Sequence, residues 1–168
     1  PMRMIPFYRN LKKEFDKQKI TYILHGNQSG LVTDLIHHLD FIAFLAGSKN
    51  FLLRTELLDK KTKASKRKGH LELTGTLIAE FENGSAGLFR CDAEGTTPKI
   101  IEIASPDRRY LIRESESKAL VSESPEWQWR EIPAPILYQS QMTGTLIKSL
   151  LSKGECDLPP YEESARYH

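Results

Sequence analysis

The stretch that most constrains this chain runs over residues 31–46, between Gly30 and Gly47. Its apolar residues Val32, Leu35, Ile36, Leu39, Ile42, Ala43 and Ala46 fall on one arc at about 100° per residue, the signature of an amphipathic helix. Thr33, Asp34, His37, His38 and Asp40 take the opposite arc, all in the first two and a half turns. Phe41, Phe44 and Leu45 then make the C-terminal half apolar all round. Such a helix must be sunk into a core with its polar cluster at one end. The cluster then borders a cleft, or it forms a satisfied internal network. Gly47 suits a left-handed C-cap, and Ser29 is the expected N-cap.

The flanking pattern supplies that core. Phe7, Leu11 and Phe15 space a first helix over about residues 6–18, and residues 20–24 form a short β-type run. From residue 51 onward the period changes to two, with strands expected over 51–58, 71–81, 87–92, 99–104, 109–113, 119–122 and 127–132. Glu82-Asn83-Gly84-Ser85 reads as a hairpin turn with positive φ at both Asn83 and Gly84. A long helix is expected over about 135–153, with Ile136, Met142, Ile147, Leu150 and Leu151 in the core. The order predicts one α+β domain over 1–168, a mostly antiparallel open sheet with helices packed on one face. The other face, where apolar, is expected to serve oligomerisation.

Composition narrows the function. A net charge of +2 implies no polyanionic partner by itself. The basic residues concentrate at 60–69 without the interleaved aromatics that nucleic-acid binding uses, so that run reads as a solvated loop and no nucleic acid is expected. Asp34, His37, His38 and Asp40 break the longest apolar run short of the roughly 20 residues a membrane span needs. Cys91 and Cys156 have no metal-site spacing and fit a reducing, cytoplasmic setting. There is no G-x-G-x-x-G, P-loop, nucleophile elbow or HExxH, so a nicotinamide site is not expected within these residues, nor a metal. The chain opens Pro1-Met2-Arg3, and the helix signalled by Pro159, Pro160, Glu162 and Glu163 stops after about two turns; a fragment of something longer is expected.

The dense ionisable set is Asp34, His37, His38 and Asp40. His37 and Asp40 are i, i+3 neighbours, a spacing at which a carboxylate orients an imidazole for proton transfer. Residues 30–47 as a whole resemble the signature of the glucose–fructose oxidoreductase/inositol dehydrogenase family, a Gly-x-Leu-x-Asp-x-x-x-His-x-x-Asp helix ending in Leu-x-Gly. Residues 3–12, the Phe81-Glu82-Asn83-Gly84-Ser85-Ala86-Gly87 hairpin and residues 158–168 are similar to family segments in the same order.

The resemblance implies a C-terminal substrate-binding and oligomerisation domain whose N-terminal Rossmann partner, holding NAD or NADP, is absent here. Hydride would pass between that nicotinamide and a sugar, polyol or nucleotide-sugar. It implies His37 as acid/base with Asp40 as its companion; Asp34 is expected beside them in catalysis, and Thr33, His38, Tyr8 and Asn27 are expected as substrate contacts. It further implies a homodimer or homotetramer through the open sheet face. The family lysine at the end of the Rossmann domain has no counterpart. The family aspartate four residues before the histidine is replaced by Thr33, and Asp34 stands one residue late. Asp34 and His38 then form an i, i+4 pair instead, or the chemistry is altered. Alone, this chain is expected to bind the cofactor weakly and to be inactive; a non-catalytic sugar-binding or assembly module built on the same domain is the alternative.

Overall fold

The computed structural model describes residues 2–27, 30–65 and 68–167. The α+β reading holds. Helix α1 (Pro6–Phe15) begins with proline in its first turn, where the missing N–H costs nothing. Strand β1 (Thr21–His25) follows, then α2 (Leu31–Ala46). The strands β2 (Phe51–Arg54), β3 (Lys63–Ala64), β4 (Leu71–Glu72), β5 (Gly75–Phe81), β6 (Ala86–Cys91), β7 (Ile100–Ala104), β8 (Arg108–Arg113), β9 (Lys118–Glu123) and β10 (Arg130–Pro133) come next. The chain closes with α3 (Gln139–Lys153) and the short α4 (Tyr161–Ser164).

Eight strands make one sheet in the order β10-β9-β8-β7-β1-β6-β5-β2, and β3 and β4 form a separate hairpin. All pairings in the large sheet are antiparallel except β1 with β6. Period-two alternation sends Tyr22, Leu24, Phe89, Ile101, Ile103 and Ile112 to the helix-covered side, where all are buried. Leu39, Phe41, Ile42 and Leu45 of α2 meet them from above, also buried. At about 25 cal/mol per Å² of apolar surface removed from water, this layer is the main source of stability.

The opposite face carries a row set by the register: Ile78 beside Leu88, Leu88 beside Ile23, Ile23 beside Glu102, Glu102 beside Leu111, and Leu111 beside Leu120. These six side chains are half-buried, shielded only by their neighbours.

Three local expectations are revised. In the 82–85 turn only Gly84 takes positive φ (82°). Asn83 avoids it because its amide is engaged on both sides, donating to Ala46 O at 3.1 Å and accepting from Ser85 N at 3.0 Å. Helix α3 begins at Gln139, four residues late, because the stretch holding Pro133 and Pro135 stays extended. Its core stripe is narrow: Met142 is buried and Leu146 half-buried, whereas Ile147, Leu150 and Leu151 are exposed. The expected cap Ser29 lies outside the described residues. Val32 N–H, in the first turn of α2, donates 3.0 Å to the Glu72 carboxylate, which is buried and arrives from β4. A β-carbon at Gly30 would fall 2.2 Å from that carboxylate, so a larger residue there would require the Glu72 side chain to shift.

Candidate functional site

Helix α2 enters the core C-terminal end first, and this places its polar half at the end of the sheet where β1 finishes and β7 starts. A cleft of about 170 Å³ opens there, lined in part by Asp34, His37, His38, Lys99, Glu114 and Gln139. The network around the cleft is ordered by hydrogen bonds from below. Lys99 Nζ lies 2.7 Å from Glu114 Oε2, and Tyr8 OH donates to Glu114 Oε1 at 2.6 Å. The Tyr22 hydroxyl and His38 Nδ1 share a bond of 2.6 Å. Tyr8 and Tyr22 are fully buried. Burial, helped by the nearby Glu114 charge, lifts both phenols well above their ordinary range, so they act as fixed neutral groups.

The two histidines differ. His38 is buried, and loss of solvation, with Lys99 and His37 adding repulsion, drives it well below the usual imidazole range. It stays neutral at physiological pH. His37 is exposed at the cleft rim, and partial desolvation lowers it modestly. It borders a second hollow of about 290 Å³, lined also by Asp40, Leu158, Pro159 and Tyr167. Of the two rings, His37 is the one that meets solvent.

Asp40 is engaged elsewhere. Arg3 grips both its oxygens, Nε at 3.0 Å from Oδ2 and Nη2 on Oδ1. The same Nη2 reaches Glu163 Oε1 at 2.8 Å, and Lys49 closes the cluster on Glu163 Oε2. Among the described residues no hydrogen bond joins His37 to Asp40 or Asp34 to His38. Thr33 is exposed on the first turn of α2. Tyr8 meets the cleft only through Glu114. Asn27 is tied to the β6–β7 loop, donating its side-chain amide to Glu94 O and its N–H to Thr97 O at 3.1 Å. Asp34, His37 and His38 thus come together, while Thr33, Tyr8, Asn27 and Asp40 lie around them.

Lys99, Glu114, Tyr22 and Gln139 escaped the sequence reading. Only Tyr22 left a signal: it alternates inward with Leu24, and a buried tyrosine hydroxyl needs a partner. Among the described residues no group of His, Cys, Asp and Glu is placed to hold a metal, and no helix is long and apolar enough to cross a membrane. Cys91 and Cys156 are not joined in a disulfide.

No protein-family model and no curated protein matches the chain in sequence. Solved structures do match in fold. A dehydrogenase (MviM) from Clostridium difficile aligns with a TM-score of 0.64 at 14% identity, over 99% of this chain and 56% of its own. UDP-N-acetylglucosamine 3-dehydrogenase GnnA from Acidithiobacillus ferrooxidans aligns with a TM-score of 0.67 at 12% identity, over 98% and 55%. A levoglucosan dehydrogenase, solved with NADH and levoglucosan, gives 0.64 at 13% identity, over 99% and 59%. The chain spans rather more than half the length of each of these. At such identities the likeness establishes the fold, which is shared with these dehydrogenases and is the one that the resemblance to the glucose–fructose oxidoreductase/inositol dehydrogenase family implies.

Proposed function

We propose that the chain is the substrate-facing domain of an NAD- or NADP-dependent oxidoreductase acting on a sugar, polyol or nucleotide-sugar. The observation that carries this is His37: an exposed imidazole at the rim of a cleft, next to a buried His38 whose ring is held neutral. In this reading His37 takes or returns the proton of a substrate hydroxyl. His38, pinned by Tyr22, offers a neutral ring to a substrate oxygen. Asp34 and the Lys99–Glu114 pair meet neighbouring hydroxyls, since vicinal hydroxyls donate to carboxylates and accept from ammonium. Thr33, Tyr8 and Asn27 are substrate contacts or supports around them, and Asp40 holds the helix rather than the imidazole. The nicotinamide, bound by a Rossmann domain beyond these residues, would supply hydride exchange with the substrate carbon.

The test is nicotinamide-dependent turnover of a panel of sugars, polyols and nucleotide-sugars by the full gene product, with His37→Gln beside it. Loss of roughly a hundredfold or more in kcat is expected from removing an acid/base group. Full activity in His37→Gln would overturn the assignment. The 168-residue chain by itself is expected to bind NAD(P) weakly and to show no turnover. The alternative, a non-catalytic sugar-binding or assembly module, draws on two observations: Thr33 stands at the family aspartate position, and Asp40 is taken by Arg3. Sugar binding without turnover in the full product would favour it.

The open sheet face is expected to pair copies of the chain into a dimer or tetramer. Leu88→Arg, at the middle of the Ile78–Leu88–Ile23 row, should weaken self-association roughly a hundredfold, read by sedimentation. An assembly indifferent to that charge would place the interface elsewhere.

A further inference from the structure

We propose that the basic hairpin β3–β4 and the turn leading into it form a phosphate-binding site at the mouth of the cleft, with Lys60, Lys61, Lys63 and Lys68 as its cations.

Residues 59–70 hold six lysines and arginines against one acid, Asp59, and that acid is occupied, its Oδ2 accepting from Thr74 Oγ1 at 2.6 Å. Lys60, Lys61 and Lys68 are exposed and have no ion-pair partner among the described residues. Gathering like charges on one short hairpin costs repulsion, and a compact polyanion relieves it. Lysine is the natural point-charge partner for phosphate. No aromatic residue lies within 59–70, so the stacking platform of single-stranded nucleic acid is missing.

The hairpin is fixed in place rather than trailing in solvent. Lys63 pairs with Glu72 and Ala64 with Leu71, and Ser65 N–H donates to His70 O at 2.9 Å. Glu72 is the same buried carboxylate that receives Val32 N–H at the start of α2. The root of the hairpin therefore touches the first turn of the helix that carries Asp34 and His37. Lys63 Nζ also reaches Asp92 O at 3.4 Å, just beyond β6. Two further basic side chains stand at this end of the sheet, each already paired: Arg90 near the end of β6 with Asp92, and Lys99 just before β7 with Glu114.

The charge divides in space. Within the cleft Lys99 is neutralised by Glu114 at 2.7 Å, and Asp34 adds a further carboxylate. An anion is unwelcome there and welcome on the hairpin. The ligand that fits both is a molecule with an uncharged hydroxyl-rich or amide end and a phosphate-bearing tail. That the tail belongs to a molecule entering the cleft rests on the dehydrogenase reading; the phosphate site itself does not.

The probe is inorganic pyrophosphate, titrated into the 168-residue chain at low salt and followed by amide resonances and calorimetry. Shifts concentrated in residues 60–72 are expected. The triple variant Lys60→Gln, Lys61→Gln, Lys68→Gln should weaken binding about tenfold or more, and added salt should weaken it further. All three side chains are exposed, so the fold is untouched. Equal affinity within twofold in the variant, shifts mapping elsewhere, or no binding at all would overturn the proposal. UDP-glucose and NADP+ then separate the two sources of phosphate: the one that also moves the His37 ring resonances brings the tail. Turnover failing in the full product while pyrophosphate still binds would sink the dehydrogenase reading and leave this one standing.

Discussion

Arg3→Ala is expected to destabilise the domain by about 3 kcal/mol, toward the lower end of what breaking a buried ion pair costs. Arg3 and Asp40 side chains are each only 10% exposed, so removing the guanidinium strands a carboxylate with little water to take its place. The loss is larger than for a surface pair because the same group also holds Glu163 and lies 5.4 Å from the centre of the Phe44 ring. Burial alone would raise Glu163, yet bonds from Lys49 and Arg3 hold its carboxyl below the usual range. Its contribution is therefore present above the ordinary carboxylate pKa and lost as pH falls through the folded-state value. Urea unfolding of Arg3→Ala and of the double variant Arg3→Met, Asp40→Leu checks the mechanism. The double variant should recover most of the loss, since both charges leave together. A single-variant cost below about 1 kcal/mol would show the pair to be a surface ornament.

This cluster also shows why the partner of the Asp40 carboxylate was not legible in the sequence. The i, i+3 spacing to His37 is written in the sequence, and so is the amphipathic arc of α2. What decides the carboxylate's partner is Arg3, 37 residues away, brought in when α1 docks on α2. The same holds for the cleft. Asp34, His37 and His38 are local neighbours and came out of periodicity. Lys99 and Glu114 reach them only because β7 pairs beside β1 and β8 follows it, a long-range register that no window of residues records. The strands of the large sheet were visible from alternation to within a few residues, whereas β3 lay in a run read as loop and the stretch 71–81 divides into β4 and β5 in different sheets. Helix α3 misled because Ile147, Leu150 and Leu151 read as core, while the helix rests on the sheet domain along the thinner line of Met142 and Leu146. Glu72 shows the same limit at a helix end: a carboxylate that meets the first turn of α2 arrives from a hairpin some forty residues on.

His38 makes the fold sensitive to acid in a defined direction. The folded ring is held well below the ordinary histidine value, chiefly by burial, while the unfolded chain titrates near the usual value of about 6.5. Above that pH both states are neutral and the group contributes no slope. Below it the unfolded chain takes up a proton that the folded ring refuses, so stability falls by up to about 1.4 kcal/mol for each pH unit. Between about pH 7.5 and pH 5 the loss from His38 should be about 2 kcal/mol. His37, lowered modestly, adds a smaller loss of the same sign. Urea titrations at the two pH values should show the drop in the native chain and in His37→Gln, and most of it should vanish in His38→Gln, where an amide can still meet the Tyr22 hydroxyl. An equal drop in His38→Gln would mean that the ring is not held neutral. The outcome bears on the site as well, because a His38 that cannot take a proton leaves His37 as the histidine of α2 able to carry one to and from a substrate.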